Sequence, residues 1–329
     1  MKYFNSQFMK SKFFAPLGLL SRSYSASGGS TKIQLVSKLR KEMDCSISKA
    51  KEALEAHQFI YSDAVAWLKK EMEESALKKA EKVKSRNAVE GLVAVYNHPY
   101  GMSASLVEIN CETDFVAKSD LFCDLAQKIA STAALFEKDP SIAISDISID
   151  TLISRPLVDS NYGTVQEGCN AVIGKLGENI KPRRGLVALQ QNGGDQLVFG
   201  AYAHAAGQLV PAGLGRLGSL VALESSTPPF EISKRTELAQ LAKKIAQHIC
   251  GFSPLSIHSK DGVDEECVLM NQSFLFGGGT VAQVLVEESK KHGIELSISE
   301  FKRWECGEGL LKETTDFATE VANQIKASA

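Results

Sequence analysis

Acidic residues are missing from the first 41 positions of this 329-residue sequence. No Asp or Glu occurs there, whereas Lys or Arg stands at positions 2, 10, 12, 22, 32, 38, 40 and 41. A basic, serine-rich segment without acidic residues is typical of an organellar targeting peptide. The sequence therefore predicts a mitochondrial transit peptide over residues 1–29, a processing site near Arg22 and a location in the mitochondrial matrix. A secretory signal peptide is the alternative.

Long apolar runs and paired cysteines are also missing. The apolar stretch at residues 13–20 is interrupted by Pro16 and Gly18 and is too short to span a bilayer. The seven cysteines are scattered and include no Cys-x-x-Cys pair, so their spacing predicts neither a zinc site nor a disulfide framework. We expect reduced, mostly buried thiols and no membrane partner.

A strong net charge is absent as well. The formal charge is -2 and the isoelectric point is near 6.3, which disfavours nucleic acid as a direct ligand. With 44% hydrophobic and 23% charged residues, the composition is that of a globular protein. The length suffices for two or three domains.

Helical periodicity predicts three short helices near the start of the chain, over residues 33–41, 48–56 and 61–74. Ser62 or Asp63 is the expected N-cap of the third helix. This compact pattern resembles a ubiquitin-associated (UBA)-like three-helix domain, which we place at residues 30–74. The following residues 75–87 are rich in Lys, Glu and Ala and are expected to form a helical, solvated linker.

One strand–strand–helix pattern occurs twice in the middle of the chain. The first copy consists of residues 91–98, 104–108 and 124–130, and the second of residues 197–204, 218–224 and 240–246. The repeat predicts an α+β fold whose core has two related subdomains, each an antiparallel sheet with helices on one face. We place these subdomains at residues 88–180 and 181–268, and a C-terminal helical module at residues 269–329.

The segment of residues 108–117, E-I-N-C-E-T-D-F-V-A, lies between a predicted strand and a predicted helix. Strand alternation assigns Cys111 to the apolar face, while Glu108 and Glu112 share the other face about 13 Å apart. Phe115 lies beyond the strand, so the alternation does not commit it to the core. This ring is free to contact a partner.

Two hydrolase arrangements compete with simpler interpretations of these side chains. The carboxylates of this segment are too far apart for an acid/base pair, and a solvated strand edge or a binding tip is preferred. Cys111 with His98 or His204 would lack a third group, so core packing is preferred for the thiol. Residues 203–207 form a small-residue turn that would expose His204 at the tip of the second subdomain. Gly277 to Gly279 lack a phosphate-loop pattern and predict a turn with Thr280 as N-cap.

Residues 108–118, E-I-N-C-E-T-D-F-V-A-K, resemble the signature of the elongation factor Ts family, the guanine-nucleotide exchange factors for elongation factor Tu. Residues 176–180 with Arg183 and Arg184 resemble its middle motif. Further resemblance is found at the second-subdomain tip and the C-terminal module, residues 202–207 and 301–322, and the likeness extends over residues 33–327.

Two departures from the family pattern accompany this resemblance. The family's N-terminal signature reads L-R-x-x-T-G. This sequence keeps Leu39 and Arg40 but has Met43 and Asp44 where the family has Thr and Gly. Residues 256–266 are short where bacterial members carry a long coiled-coil insertion. With its basic leader and without this insertion, the sequence resembles the mitochondrial branch of the family.

The resemblance implies a binding protein rather than an enzyme. It implies a 1:1 complex with mitochondrial elongation factor Tu, in which Phe115 is a wedge that disturbs the Mg²⁺ and phosphate site of the partner so that GDP leaves. The chain itself would need no cofactor. The partner-binding residues implied are Thr113, Asp114, Phe115, Val116, His204, Arg40, Ile47 and Phe317.

Three other functions remain open at this point. A ubiquitin-type adaptor would use the N-terminal helices, and a thiol or carboxylate hydrolase would use Cys111 or Glu112. A family member could also chaperone or stabilise elongation factor Tu without promoting exchange.

Overall fold

The computed structural model describes residues 29–136, 142–190, 196–204, 210–227 and 231–311. The chain divides into two compact units, one ending at Lys70 and one beginning at Glu71. The predicted transit peptide, the part of the predicted C-terminal helical module beyond residue 311, and Phe317 lie outside the described residues.

The N-terminal unit is helical, as the periodicity predicts. It contains α1 (Gly29–Met43), α2 (Ile47–Ala56) and the first part of α3 (Tyr61–Val83). Ser46 caps α2, because its hydroxyl accepts a hydrogen bond from the amide of Lys49 at 3.2 Å. The fully buried residues of this unit are small or aliphatic: Leu39, Ala50, Ala53, Leu54, Ala64 and Leu68.

The second unit contains two antiparallel sheets. The first has the strand order β3-β4-β2-β1-β6, and the second has the order β5-β7-β8. The strands are β1 (Glu90–Asn97), β2 (Ser103–Cys111), β3 (Ser145–Ile147), β4 (Lys181–Leu189), β5 (Leu197–His204), β6 (Leu214–Gly215), β7 (Leu217–Ser225) and β8 (Leu296–Glu305). The helices of the N-terminal unit and the antiparallel sheets of the second unit confirm the predicted α+β class.

Helices cover the outer face of each sheet. Those of the first sheet are α4 (Asp114–Ala117), α5 (Asp120–Ala133), α6 (Ile149–Ser154) and α7 (Val165–Leu176), and those of the second are α8 (Ile232–Phe252) and α9 (Val281–His292). Thr280 caps α9 with a capping box, as predicted. None of the described helices is both long and apolar enough to cross a membrane.

The inner faces of the two sheets pack against each other, which the sequence did not predict. Leu106 of β2 shares a buried cluster with Phe199 of β5 and Leu220 of β7. On the opposite face of β2, Ile109 packs in the same cluster as Phe122 of α5. Every residue of β2 is therefore buried, because this strand is covered on both faces.

The two copies of the repeat make the same internal contacts. In each copy the second strand carries a serine that pairs with a tyrosine of the first strand. Ser105 donates its hydroxyl to the Ala130 carbonyl of α5 at 2.7 Å, and Ser219 donates to the Ala246 carbonyl of α8 at 2.5 Å. Each serine thus joins its hairpin to the helix that follows it.

The residues after position 74 are helical, as expected, but they are not wholly solvated. Within the second unit, α3 buries Ala76, Ala80 and Val83. Lys79 donates to the carbonyl of Gly174 in α7 at 2.6 Å. The expectation of a fully solvated segment is wrong because alanines at helical spacing form a narrow apolar face, which the surrounding charges conceal.

Candidate functional site

The segment that carries Phe115 forms a single helical turn, α4, directly after β2. Thr113 caps it, since its hydroxyl accepts a hydrogen bond from the amide of Val116 at 3.3 Å. Val116 and Ala117 turn towards the core of the second unit. The opposite side of the turn, with Asp114 and Phe115, faces solvent.

The ring of Phe115 is the most exposed phenylalanine among the described residues. It is 81% exposed, whereas Phe252 and Phe276 each reach 47%. Phenylalanine is enriched in the buried core of protein interfaces, so this exposed ring on a fixed backbone is a candidate partner contact. The structure thus places the predicted wedge residue on the surface.

Glu178 holds the α4 turn in place from another part of the chain. Its carboxylate accepts the backbone N–H of Thr113 at 3.0 Å and the Thr113 hydroxyl at 2.7 Å. Glu178 follows Gly177, which ends α7 in the left-handed conformation with φ of 77°. The Thr113 side chain is therefore occupied inside the protein, which leaves Asp114 and Phe115 as the outward pair.

Asn179 adds a second support. Its amide N–H donates to Glu112 at 2.6 Å, and its side chain donates to the carbonyls of Lys84 and Arg86 at 3.2 and 2.9 Å. One residue thus joins the end of β2 to the segment between α3 and β1. Residues 176–180 resemble a motif of the family in the sequence. No spacing rule, however, predicts that they contact Thr113 or Glu112.

Asp114 provides a negative charge next to Phe115. Lys118 donates to its carboxylate at 2.7 Å, and this hydrogen bond lowers the pKa of Asp114 below its ordinary value. Both side chains are about half exposed to solvent, so screening keeps the interaction energy of the pair small. Asp114 is therefore ionised near neutral pH and available to a partner.

A groove of about 680 Å³ lies beside the α4 turn. Phe115, Lys118 and Leu92 line it, together with an ion pair in which Arg216 contacts Glu90 at 2.6 Å. The described residues include no group of His, Cys, Asp and Glu suited to holding a metal ion. The groove combines apolar and charged walls, as a protein-binding surface does.

Neither hydrolase arrangement is formed. Glu108 is fully buried and ion-paired to Arg183 and Arg184, so the expectation that it lies on a solvated strand edge or binding tip is wrong. The physical reason is that the second sheet covers this face of β2. Burial, with smaller contributions from neighbouring acidic groups, raises the pKa of Cys111, which keeps the thiol protonated and unreactive.

His98, one of the two histidines considered as partners of that thiol, lies far from it. Cys111 pairs with Glu90 at one end of the β1–β2 hairpin, whereas His98 lies in the turn at the other end. Across the length of β2 this separation is about 25 Å at about 3.3 Å per residue. Core packing is thus the correct interpretation of Cys111.

His204 is the last residue of β5 and is exposed, as predicted. The backbone of Gly215 passes so close that a Cβ there would lie within van der Waals overlap of the His204 carbonyl. The next residue, Arg216, lines the groove beside Phe115. His204 and the groove are therefore connected through β6, while residues 205–207 of the predicted tip lie outside the described ranges.

Arg40 and Ile47 occur together in the N-terminal unit. Arg40 is exposed in the last turn of α1, and Ile47 is exposed as the first residue of α2. The turn between them is closed by a hydrogen bond from the Cys45 amide to the Arg40 carbonyl at 3.3 Å. Both exposed residues therefore belong to the segment around the α1–α2 turn.

Comparison with known proteins gives one consistent result. The family described as Elongation factor TS matches residues 112–268. "Elongation factor Ts, mitochondrial" from Coprinopsis cinerea is 33% identical, over 88% of this chain and 95% of the relative. The human protein of the same name is 30% identical over 86% of each chain, and "Elongation factor Ts" from Caulobacter vibrioides is 31% identical over 88% of this chain and 96% of the relative.

Proposed function

Because the chain belongs to the elongation factor Ts family, in its mitochondrial branch, we propose that it binds GDP-loaded elongation factor Tu and promotes GDP release during mitochondrial protein synthesis. Family membership supports a role as a translation elongation factor. The relatives named mitochondrial also support the mitochondrial location predicted from the basic leader. No covalent chemistry is involved, and the chain acts on nucleotide and Mg²⁺ held by its partner.

The observation that carries the proposal is the exposed ring of Phe115 on a braced turn. We propose that Phe115 enters the GTPase domain of elongation factor Tu near its magnesium site and that Asp114 provides charge at the same place. Disturbing the cation weakens the binding of GDP, because the cation compensates the negative charge of the phosphates. Thermodynamic linkage requires the reverse effect as well. Bound nucleotide therefore weakens the binding of the exchange factor to its partner, and GTP can displace the exchange factor.

Other surfaces would increase the affinity of the complex without taking part in the disturbance of the partner's Mg²⁺ site. We assign this role to Arg40 and Ile47 in the N-terminal unit, to His204 at the end of β5 and to Phe317 in the C-terminal module. The N-terminal unit would be a UBA-like domain. The shared serine contacts support a core of two related subdomains. The complex would be a 1:1 heterodimer.

The direct test is release of a fluorescent GDP analogue from mitochondrial elongation factor Tu. Substoichiometric amounts of this chain should accelerate release, and a complex that forms without acceleration would support the chaperone alternative instead. An unchanged release rate at micromolar concentration would contradict the proposal.

Phe115→Ala is the sharpest variant for this assay. Truncating an aromatic hot spot costs about 2 kcal/mol or more, about thirtyfold in affinity or rate, so most of the acceleration should disappear. Thermal unfolding should hardly change, because the ring is exposed. Phe276→Ala, at another exposed phenylalanine, is the matched control and should retain exchange. Equal activity of the two variants would eliminate Phe115 as the wedge.

A further inference from the structure

Glu108 is a fully buried carboxylate that the proposed exchange site does not use. Its oxygens accept four hydrogen bonds, from Arg183 at 2.9 Å, Arg184 at 2.6 Å, Asn110 at 3.1 Å and the backbone N–H of Gly307 at 2.8 Å. Burying a charge is unfavourable unless it is paired and hydrogen-bonded in this way. The Gly307 contact joins residues 199 positions apart in sequence.

Arg183 and Arg184 extend this network to the end of β8. Arg183 donates to the Glu308 carbonyl at 2.6 Å, and Arg184 donates to the Glu305 carbonyl at 2.9 Å and to the Glu308 carboxylate at 3.2 Å. The Arg184 guanidinium also lies 4.4 Å from the ring centre of Trp304. The two arginines therefore tie Glu108 of the first sheet to residues 306–311, which we name the latch loop.

The latch loop in turn contacts the wall of the groove. The Cys306 amide donates to the Arg216 carbonyl at 2.8 Å, and the Arg216 guanidinium donates back to the Cys306 carbonyl at 3.4 Å. The same guanidinium binds Glu90 at 2.6 Å, and both residues line the groove next to Phe115. A continuous set of hydrogen bonds thus runs from Glu108 to the surface beside the wedge.

The backbone of the latch loop is fitted to this position. Gly307 has φ of 80°, a left-handed conformation that favours glycine, and a Cβ there would lie 2.8 Å from the Val89 carbonyl. Asn87 donates to the Leu311 carbonyl at 3.5 Å. Val89 and Asn87 directly precede β1, the strand that supplies Glu90. The loop is therefore seated against the segment that leads into the groove.

We propose that Glu108 is a positioning residue for nucleotide exchange, which, through Arg183, Arg184 and the latch loop, fixes the Arg216–Glu90 wall of the groove beside Phe115. This inference rests on the proposed function. It predicts that Glu108 affects the rate of GDP release from the bound partner rather than the affinity of the complex. The other surfaces assigned to partner binding still form the complex when the latch is released.

The experiment compares Glu108→Gln with its parent, both carrying Trp67→Phe. The sequence has two tryptophans, so this background leaves Trp304 as the single tryptophan of the chain. Without the carboxylate charge Arg184 is no longer held over Trp304, so acrylamide should quench Trp304 more strongly. Exchange kinetics at saturating elongation factor Tu should show the maximal release rate reduced about tenfold, because small misplacements of a positioned group cost up to about a hundredfold. The half-saturating concentration should change less than the maximal rate.

Glu300→Gln is the matched control. Glu300 also lies on β8 and also joins the sheets, since it accepts the Ile144 amide at 3.1 Å, but it is bonded to the segment leading into the edge strand β3. It should leave Trp304 quenching and the maximal release rate unchanged. Arg184→Lys provides a second variant if Glu108→Gln does not fold, because Lys keeps the charge but loses the planar stacking and forked hydrogen bonds. It should change both readouts in the same direction.

The outcomes separate the two proposals. Failure of the parent chain to accelerate GDP release overturns the proposed function and, with it, any role of Glu108 in exchange. An active parent whose folded Glu108→Gln or Arg184→Lys variant shows altered Trp304 quenching but a full release rate overturns the positioning role alone. An equal loss of rate in Glu300→Gln also overturns it, because the effect would then follow from any weakened contact between the sheets.

Discussion

At the scale of single residues, the exposed ring of Phe115 depends on hydrogen bonds that its own atoms do not make. Thr113 caps the turn, and Glu178 binds Thr113 through both the backbone and the hydroxyl. A side chain that must enter a partner loses less entropy on binding when its backbone is already fixed. The brace is thus as much a part of the site as the ring.

Glu178→Gln should therefore impair exchange without removing any exposed group. The amide retains one acceptor oxygen and loses the charge, which weakens the two bonds to Thr113 by about 1 to 2 kcal/mol. GDP release should slow several-fold while circular dichroism stays native. Glu167→Gln, at the other end of α7, is the control, because Gln also serves in a capping box. Normal exchange by Glu178→Gln would show that the brace is dispensable.

We expect Glu108 to make the stability of the protein depend on pH. Burial acts to raise its pKa, but the Gly307 amide, Arg183 and Arg184 outweigh burial and hold the pKa below its ordinary value. A lowered folded-state pKa stabilises the protein above the unfolded-state value of about 4.3, and this contribution is lost as pH falls through the folded-state pKa. Acidification should therefore destabilise the wild type more than a variant without this carboxylate.

Urea unfolding of wild type and Glu108→Gln at neutral and acidic pH measures this contribution. The difference in unfolding free energy should be largest at neutral pH and should shrink on acidification below about pH 4. A difference that stayed constant across this range would mean that Glu108 does not titrate differently in the folded state.

At the scale of elements, the contact between β5 and α8 depends on a missing side chain. A Cβ at Gly200 would lie 2.4 Å from the carbonyl carbon of Ala242 and 2.5 Å from the amide nitrogen of Lys243. Both atoms are helix backbone and cannot rotate away. The close approach also matches the Ser219 hydrogen bond to the Ala246 carbonyl one turn further along α8.

Gly200→Ala should lower the free energy of unfolding by about 1 to 3 kcal/mol, the usual cost of overpacking a core. Gly251→Ala is the control in the same helix, because no other atom lies within 4 Å of the added Cβ. Helix propensity should make this second change neutral or stabilising by up to about 1 kcal/mol. Equal stability of the two variants by urea unfolding would show that α8 shifts freely on β5.

At the scale of the whole molecule, we expect the basic N-terminal leader to determine where the chain functions. Fused to a fluorescent protein, residues 1–29 should direct it to mitochondria, since a basic segment without acidic residues is typical of imported precursors. Replacing Lys2, Lys10, Lys12 and Arg22 with Glu should abolish import, whereas replacing the lysines with Arg should preserve it. Fluorescence in the secretory pathway would favour the signal-peptide alternative.

The sequence determined the features that depend on local periodicity and on contiguous motifs. Helical spacing predicted α1 and α2, and strand alternation placed Cys111 on the apolar face of β2. The repeat predicted the antiparallel hairpins, and the segment around Phe115 indicated the family. Each of these properties is encoded by neighbouring residues, so a linear reading of the chain suffices to find it.

Only the tertiary structure decided which residues brace Phe115 and where Glu108 lies. Glu178 meets Thr113 across 65 positions, and Gly307 meets Glu108 across 199. Alternation assigned Glu108 to the face of β2 opposite the helices, but whether water or a second sheet covers that face is not encoded locally. The packing of the two sheets turned a presumed surface carboxylate into a buried ion pair, and this packing results from contacts between segments that are distant in the sequence.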